Sequence, residues 1–132
     1  MLYIFTIRMK QPMPFDFLLD YLPASIIVKP AIGMFYIYFD KKIVFIFRKT
    51  GKNPQHSGIW ISTQREHHDS LKAEIPAIAP FELDEGFDTA WLLLHDQHED
   101  FESAAISLCE LVTAKDIRIG KVTPKSVALF DR

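Results

Sequence analysis

Two consecutive apolar segments with a short polar turn between them constrain this chain more than any other feature. Residues 34–39 read Met-Phe-Tyr-Ile-Tyr-Phe, residues 43–48 read Ile-Val-Phe-Ile-Phe-Arg, and Asp-Lys-Lys separates them. β-Branched and aromatic residues on both sides of a short polar turn predict an antiparallel β-hairpin. Because neither segment alternates with polar residues, both faces of this hairpin carry large apolar side chains. The sheet must therefore be covered on both faces or expose an aromatic patch.

Strict alternation assigns the side chains of the hairpin to faces. In the first strand, one face receives Phe35, Ile37 and Phe39, and the other receives Met34, Tyr36 and Tyr38. In the second strand, the corresponding sets are Ile43, Phe45 and Phe47, and Val44, Ile46 and Arg48.

The rest of the chain predicts further strands separated by helices. A stripe of Phe15, Leu18, Leu19 and Leu22 predicts a short helix. Apolar runs at 25–28, 59–62, 78–81 and 89–94 predict strands, and residues 63–75 and 101–112 predict two more helices. In this order of elements, consecutive strands are joined by hairpins more often than by helical crossovers between parallel strands. We expect an α+β fold with two layers, in which helices cover one face of a mainly antiparallel sheet of about five strands.

The length of 132 residues predicts a single domain spanning 1–132. Within it, 1–11 is expected to be an extension and 121–132 a tail, both loosely packed. No apolar run approaches the roughly 18 residues of a membrane span, and residues 1–7 do not form a signal peptide. The single Cys109 excludes an intramolecular disulfide. These features predict a cytoplasmic protein without a membrane partner.

The hairpin and three later segments resemble a known family. Residues 29–48, from Lys-Pro-Ala-Ile-Gly-Met-Phe through the hairpin, lie where that family has a Lys-Pro-Met-Phe-Gly approach, an aromatic strand and a tight turn. Residues 58–63, 67–71 and 100–102 continue the similarity, which covers roughly 14–120. The chain thus resembles the family of the TfoX N-terminal domain and the related YjbR (MmcQ)-like proteins. This resemblance implies an α+β fold with an antiparallel sheet, a competence-regulator or DNA-binding role, and no catalytic residues.

Few residues in the chain are arranged for catalysis or metal binding. His95 and His98 lie three residues apart beside carboxylates and are weak candidate metal ligands, although no third ligand is indicated. The alternative is a polar connection that caps the last helix. Cys109 has no neighbour that would activate its thiol, and no glycine-rich phosphate loop is present. We therefore predict no enzyme activity, no metal and no cofactor.

Charge is distributed unevenly, although the net charge is only −2. The segment between Ala73 and Ala114 contains ten Asp and Glu and no Lys or Arg. Basic residues surround the hairpin and are candidate phosphate contacts: Lys41, Lys42, Arg48, Lys49 and Lys52. Lys115, Arg118, Lys121 and Lys125 would add to them if the tail folds to the same side. The alternative is that lysines only protect an apolar hairpin from aggregation.

Two functions follow from these patterns. The first is a non-catalytic interaction module that binds an unknown protein partner, or itself as a homodimer, through Met34, Tyr36 and Tyr38. The rival to a homodimer is that the N-terminal segment or the tail of the same chain covers this face. The second is a nucleic-acid-associated domain, related to transcription or competence, that uses the basic hairpin at 41–52.

Overall fold

The computed structural model describes residues 12–83 and 87–131, with the backbone alone at 82, 83, 87 and 88. The extension predicted at 1–11 and the acids Asp84 and Glu85 lie outside the described residues. The strands are β1 (Ile27–Ala31), β2 (Met34–Phe39), β3 (Lys42–Arg48), β4 (Gly58–Ile61), β5 (Ala79–Leu83) and β6 (Phe87–His95). The α-helices are α1 (His68–Glu74), α2 (Phe101–Thr113) and α3 (Pro124–Phe130). Three 3₁₀ segments are η1 (Asp16–Tyr21), η2 (Pro54–His56) and η3 (Arg65–His67).

The strands form one antiparallel sheet in the order β1-β2-β3-β4-β6-β5. The predicted α+β class is confirmed, and the sheet has six strands rather than about five. The hairpin between β2 and β3 closes through Asp40 and Lys41, which have φ angles of 54° and 65°. Positive φ at both central residues defines a two-residue type I′ turn, whose twist matches that of the strands.

One face of the sheet is covered by η1, α1 and α2. We call it the helix-covered face, and its buried strand residues include Phe35, Ile37, Phe45 and Phe47. The amphipathic stripe of α2 lies against it, with Leu108 at 0% and Val112 at 3% exposure. Phe101, at the start of the same helix, is half-buried and contacts Phe15 at a centroid distance of 5.0 Å. This layer contains the larger core of the domain.

The opposite face carries a second apolar cluster, which we call the aromatic face. Its buried members are Tyr38, Ile43, Ile46, Trp60 and Phe81. Leu129 and Phe130 of α3 pack against this cluster, so helices lie on both faces rather than on one. The sequence beyond Gly120 is mostly polar, which led us to predict a loose tail. In the structure, the apolar residues Leu129 and Phe130 attach α3 to this face.

The alternation predicted for β3 is wrong because the strand contains a β-bulge. Ile37 pairs with Phe45 and Tyr38 pairs with Ile43, which leaves Val44 without a partner in β2. An extra residue shifts the alternation by one position. Val44 therefore joins Phe45 on the helix-covered face, and Ile43 joins Ile46 on the aromatic face. The alternation predicted for β2 is confirmed.

The segment after α2 returns to the hairpin and anchors the end of the chain. Lys121 exchanges two backbone hydrogen bonds with Ile43, with N–O distances of 3.0 and 2.9 Å. The helix α3 then begins with a reciprocal capping box between Thr123 and Ser126. The Ser126 hydroxyl also donates to the carbonyl oxygen of Lys41 at 2.7 Å. These bonds place residues 121–126 beside the β2–β3 turn.

Candidate interaction surfaces

A row of side chains in strand register crosses the aromatic face. Tyr36 pairs with Ile46, Ile46 with Trp60, and Trp60 with Leu93. Directly paired residues in antiparallel strands point to the same face, so these four side chains form one line across the sheet. Leu93 and Trp91 of β6 and Met34 and Tyr36 of β2 are half-buried, whereas Ile46 and Trp60 are buried. The half-buried residues lie on both sides of a buried centre.

Arg48 and His56 cover the centre of this row. The guanidinium of Arg48 lies 5.3 Å from the centroid of the Trp60 ring, in a cation–π contact. Trp60 contacts Phe81 with ring centroids 4.4 Å apart and the ring planes tilted by 40°, and its indole N–H donates to the His56 carbonyl at 2.9 Å. His56 is buried and meets Phe81 edge-on at 5.4 Å. No sequence pattern predicts this group, because η2 brings His56 onto the sheet from a loop.

Of the three residues predicted to contact a partner, two are accessible and one is not. Met34 and Tyr36 are half-buried, but Tyr38 is only 2% exposed. Burial raises the pKa of the Tyr38 hydroxyl, and the neighbouring Tyr36 raises it further. Tyr38 therefore belongs to the core of the aromatic face. Trp91 and Leu93, which the sequence analysis did not select, take its place at the accessible rim.

Both edges of the sheet contain a proline. Pro30 lies in the edge strand β1, and Pro80 lies in the edge strand β5. Proline has no N–H to donate to an added strand, and it is a common device for protecting edges. A partner is therefore expected to contact a face of the sheet rather than extend it.

The basic hairpin predicted at 41–52 is split between two ends of the molecule. Lys41 and Lys42 lie at the β2–β3 turn, and Lys49 follows the far end of β3. A strand advances about 3.3 Å per residue, which separates Lys42 from Lys49 by roughly 20 Å. The prediction of a single basic surface is therefore wrong, because the sequence cluster spans the whole length of a strand.

The basic residues at the far end of β3 already have partners. Lys49 forms an ion pair with Asp96, whose side chain is 4% exposed, and Arg48 lies over Trp60. This contact links the basic loop to the acidic segment between Ala73 and Ala114. Lys52 is exposed. Of the five candidate phosphate contacts, the two at the turn and Lys52 have no ion pair within the described residues.

Arg118 joins a separate network near the end of α1. It bonds Asp116 through two nitrogens at 2.9 and 2.8 Å and Glu74 at 2.7 Å. The hydrogen bonds from Arg118 hold the pKa of Asp116 below its usual value. Arg118 is therefore occupied by carboxylates, whereas Lys121 and Lys125 fold beside the turn lysines as the sequence analysis considered.

The two candidate metal ligands serve as turn residues. Nδ1 of His95 accepts from the backbone N–H of Gln97 at 3.0 Å, so its Nε2–H donates to the Pro54 carbonyl at 2.9 Å. Nδ1 of His98 accepts from the N–H of Asp100 at 3.0 Å. Within residues 12–83 and 87–131, no group of three His, Cys, Asp or Glu side chains is placed to hold a metal ion. The two histidines thus hold a polar turn between β6 and α2, and Asp100 at the N-cap of α2 makes no side-chain capping hydrogen bond.

Cys109 is buried in α2, against the helix-covered face. Burial, together with the nearby Glu110, raises the pKa of its thiol to about 12. The thiol is protonated at neutral pH, and a thiol is a weak nucleophile compared with the thiolate.

Comparison of the chain with protein-family models, with curated proteins and with solved structures gives no match in any of the three. The similarity to the TfoX N-terminal and YjbR-like family therefore stays a prediction. No helix in the described part of the chain is both long and apolar enough to cross a membrane.

Proposed function

We propose that this protein is a non-catalytic interaction module of the cytoplasm that binds a protein partner through the aromatic face. A second copy of the chain is the first candidate. The observation that carries the proposal is the row from Tyr36 to Leu93, in which Ile46 and Trp60 form a buried centre with half-buried side chains around it. Met34, Tyr36, Trp91 and Leu93 keep part of their apolar surface accessible around this centre, and aromatic residues and methionine are enriched in contact surfaces.

Two features support a contact across the face. The prolines in β1 and β5 disfavour the addition of a strand at either edge. Tyr36 can bury its ring while its hydroxyl keeps a hydrogen bond at the rim. A two-fold dimer would place Tyr36 and Trp91 of one copy against the same surface of the other.

The test is light scattering during size exclusion at micromolar concentration. We expect the wild-type chain to elute above the monomer mass of 15.3 kDa and the Tyr36→Glu variant to elute as a monomer. Leu19→Glu is the matched control, because Leu19 is 40% exposed in η1 and lies on the opposite side of the sheet. Circular dichroism confirms that each variant is folded. A wild-type monomer would contradict the second copy as partner, and a dimer that Tyr36→Glu leaves intact would contradict the aromatic face as its interface.

The nucleic-acid-associated role is the second candidate, and it is weaker. It requires the basic residues at 41–52 to act together, but β3 separates them and Asp96 engages Lys49. A mobility-shift assay at low salt tests it, with Lys41→Glu and Lys42→Glu compared with wild type. A DNA shift that these two substitutions abolish would favour this role over the aromatic-face module.

A further inference from the structure

Five lysines that are far apart in sequence lie together around the β2–β3 turn. We call this surface the lysine end: Lys41, Lys42, Lys115, Lys121 and Lys125. Three contacts assemble it. Lys121 pairs with Ile43 beside Lys42, and Ser126, next to Lys125, bonds the carbonyl of Lys41. Lys115 and Lys42 line the same small cavity at the end of α2.

The lysine end has few compensating acids. None of the five lysines forms an ion pair with another described residue. The segments 40–42 and 115–125 contain two acids, Asp40 and Asp116. Asp116 already pairs with Arg118. Within these two segments, Asp40 is therefore the carboxylate left to offset the charge of the five lysines. The surface therefore carries a strong positive potential at neutral pH.

The segment 115–125 also exposes two aliphatic side chains. Ile117 is 76% exposed and Val122 is 59% exposed. Each lies within two residues of a lysine of the lysine end. Lysines flanking exposed aliphatic side chains are typical of segments that lie on an anionic bilayer, where the ammonium groups reach the headgroups and the aliphatic groups enter the interface.

Acidic residues lie toward the opposite end of the molecule, which also carries Lys49 and Lys52 beyond the far end of β3. Glu99, Asp100 and Glu102 lie at the start of α2, and Lys115 follows its end. A helix of 13 residues is about 20 Å long, so the two charged ends are well separated. An anionic plane would attract the lysine end and repel these acidic residues, which orients the molecule on that plane.

We infer that the lysine end attaches this protein reversibly to the surface of an anionic lipid bilayer. The prediction of no membrane partner rested on the absence of a spanning segment, which has no bearing on attachment at the surface. A bilayer fits better than nucleic acid, because Ile117 and Val122 have no planar surface on which bases could stack. Tyr36 is not part of the lysine end, although α3, which carries Lys125, also packs against the aromatic face.

Sedimentation with lipid vesicles at low salt tests this inference. We expect the chain to bind vesicles that contain phosphatidylserine and not vesicles of phosphatidylcholine alone. A lysine near such a surface contributes about fivefold in affinity, so Lys121→Glu with Lys125→Glu should weaken binding by at least about 25-fold. Lys29→Glu with Lys52→Glu is the matched control, since both lysines are exposed outside the lysine end, and should change binding far less.

A second pair of variants separates insertion from charge alone. Ile117→Ser with Val122→Ser keeps all five lysines and should still weaken binding several-fold. Absence of binding to phosphatidylserine vesicles would overturn the inference, as would equal binding to neutral vesicles or no effect of the lysine substitutions. Retention of duplex DNA without vesicle binding would also overturn it and would assign the lysine end to nucleic acid.

Discussion

Gly58 occupies a position in β4 that admits no side chain. Its φ is 147°, and a Cβ placed there would lie 2.1 Å from the carbonyl oxygen of Leu94. That oxygen belongs to the neighbouring strand β6 and cannot move without breaking the sheet. Glycine within a strand often marks such a close approach of two backbones.

We therefore predict that Gly58→Ala lowers the free energy of unfolding by at least about 2 kcal/mol, through overpacking and backbone strain. Urea denaturation followed by circular dichroism measures the loss. Gly51→Ala is the control, because nothing lies within 4 Å of the position of its Cβ. A Gly58→Ala variant as stable as this control would show that the two strands can separate at this point.

Arg48 illustrates why the role of a single residue is hard to read from sequence. In the sequence it belongs to a basic cluster and is a candidate phosphate contact. In the structure its guanidinium lies over Trp60, a residue of the adjacent strand. Charge is visible in the sequence, but the partner of that charge depends on which strands are neighbours.

At the scale of elements, α2 matches its prediction most closely. Its apolar stripe was predicted from the helical period, and Leu108 on that stripe is 0% exposed in the larger core. Residues near each end of α2 also favour the observed helix boundaries. Glu102 lies in the first turn, and Lys115 follows the last turn with a φ of 59°, in the left-handed position that commonly ends a helix.

We predict that Leu108→Ala lowers the free energy of unfolding by about 2–5 kcal/mol, because it removes buried contacts and leaves a cavity. The midpoint of urea denaturation measures this change. Glu110→Ala, at an exposed position of the same helix, should change stability by less than about 0.5 kcal/mol. Equal effects of the two substitutions would mean that α2 does not pack as the structure shows.

The helix η1 departs from its prediction for a geometric reason. The predicted stripe of Phe15, Leu18, Leu19 and Leu22 assumes 3.6 residues per turn. The 3₁₀ helix covers only Asp16–Tyr21. Phe15 before it has a φ of 59° and Leu22 after it is extended, so neither end of the predicted stripe continues the helix. Leu18 and Leu22 are buried, whereas Leu19 is 40% exposed.

At the scale of the whole molecule, the two proposed surfaces should respond differently to salt. The aromatic face would associate through apolar contact, which salt does not screen, and the lysine end would act through charge. We predict that raising the ionic strength releases the chain from phosphatidylserine vesicles and leaves its self-association unchanged. Size exclusion and vesicle sedimentation across one salt series measure both.

The single-surface variants provide the controls for this prediction. Tyr36→Glu should bind vesicles like wild type, and Lys121→Glu with Lys125→Glu should self-associate like wild type. If either variant loses both properties, the two surfaces are not independent, and one of the assignments is in error.

The sequence by itself determined the local features of this protein. The hairpin, the two faces of β2, the stripe of α2 and the α+β class all follow from periodicity and turn chemistry within a few tens of residues. Each depends on contacts between sequence neighbours or on the hydrophobic pattern of one element. For that reason, the larger core around Phe35, Ile37 and Leu108 could be anticipated residue by residue.

Only the tertiary structure decided which surfaces are available. The bulge at Val44, the burial of Tyr38, the contact of Arg48 with Trp60 and the return of Lys121 to Ile43 each depend on segments that are distant in sequence. Such contacts depend on which strands pair and on the path of the chain between distant segments. The hydrophobic period of a single element does not predict them. The candidate surfaces were therefore only partly predictable, since a surface consists of what these distant contacts leave uncovered.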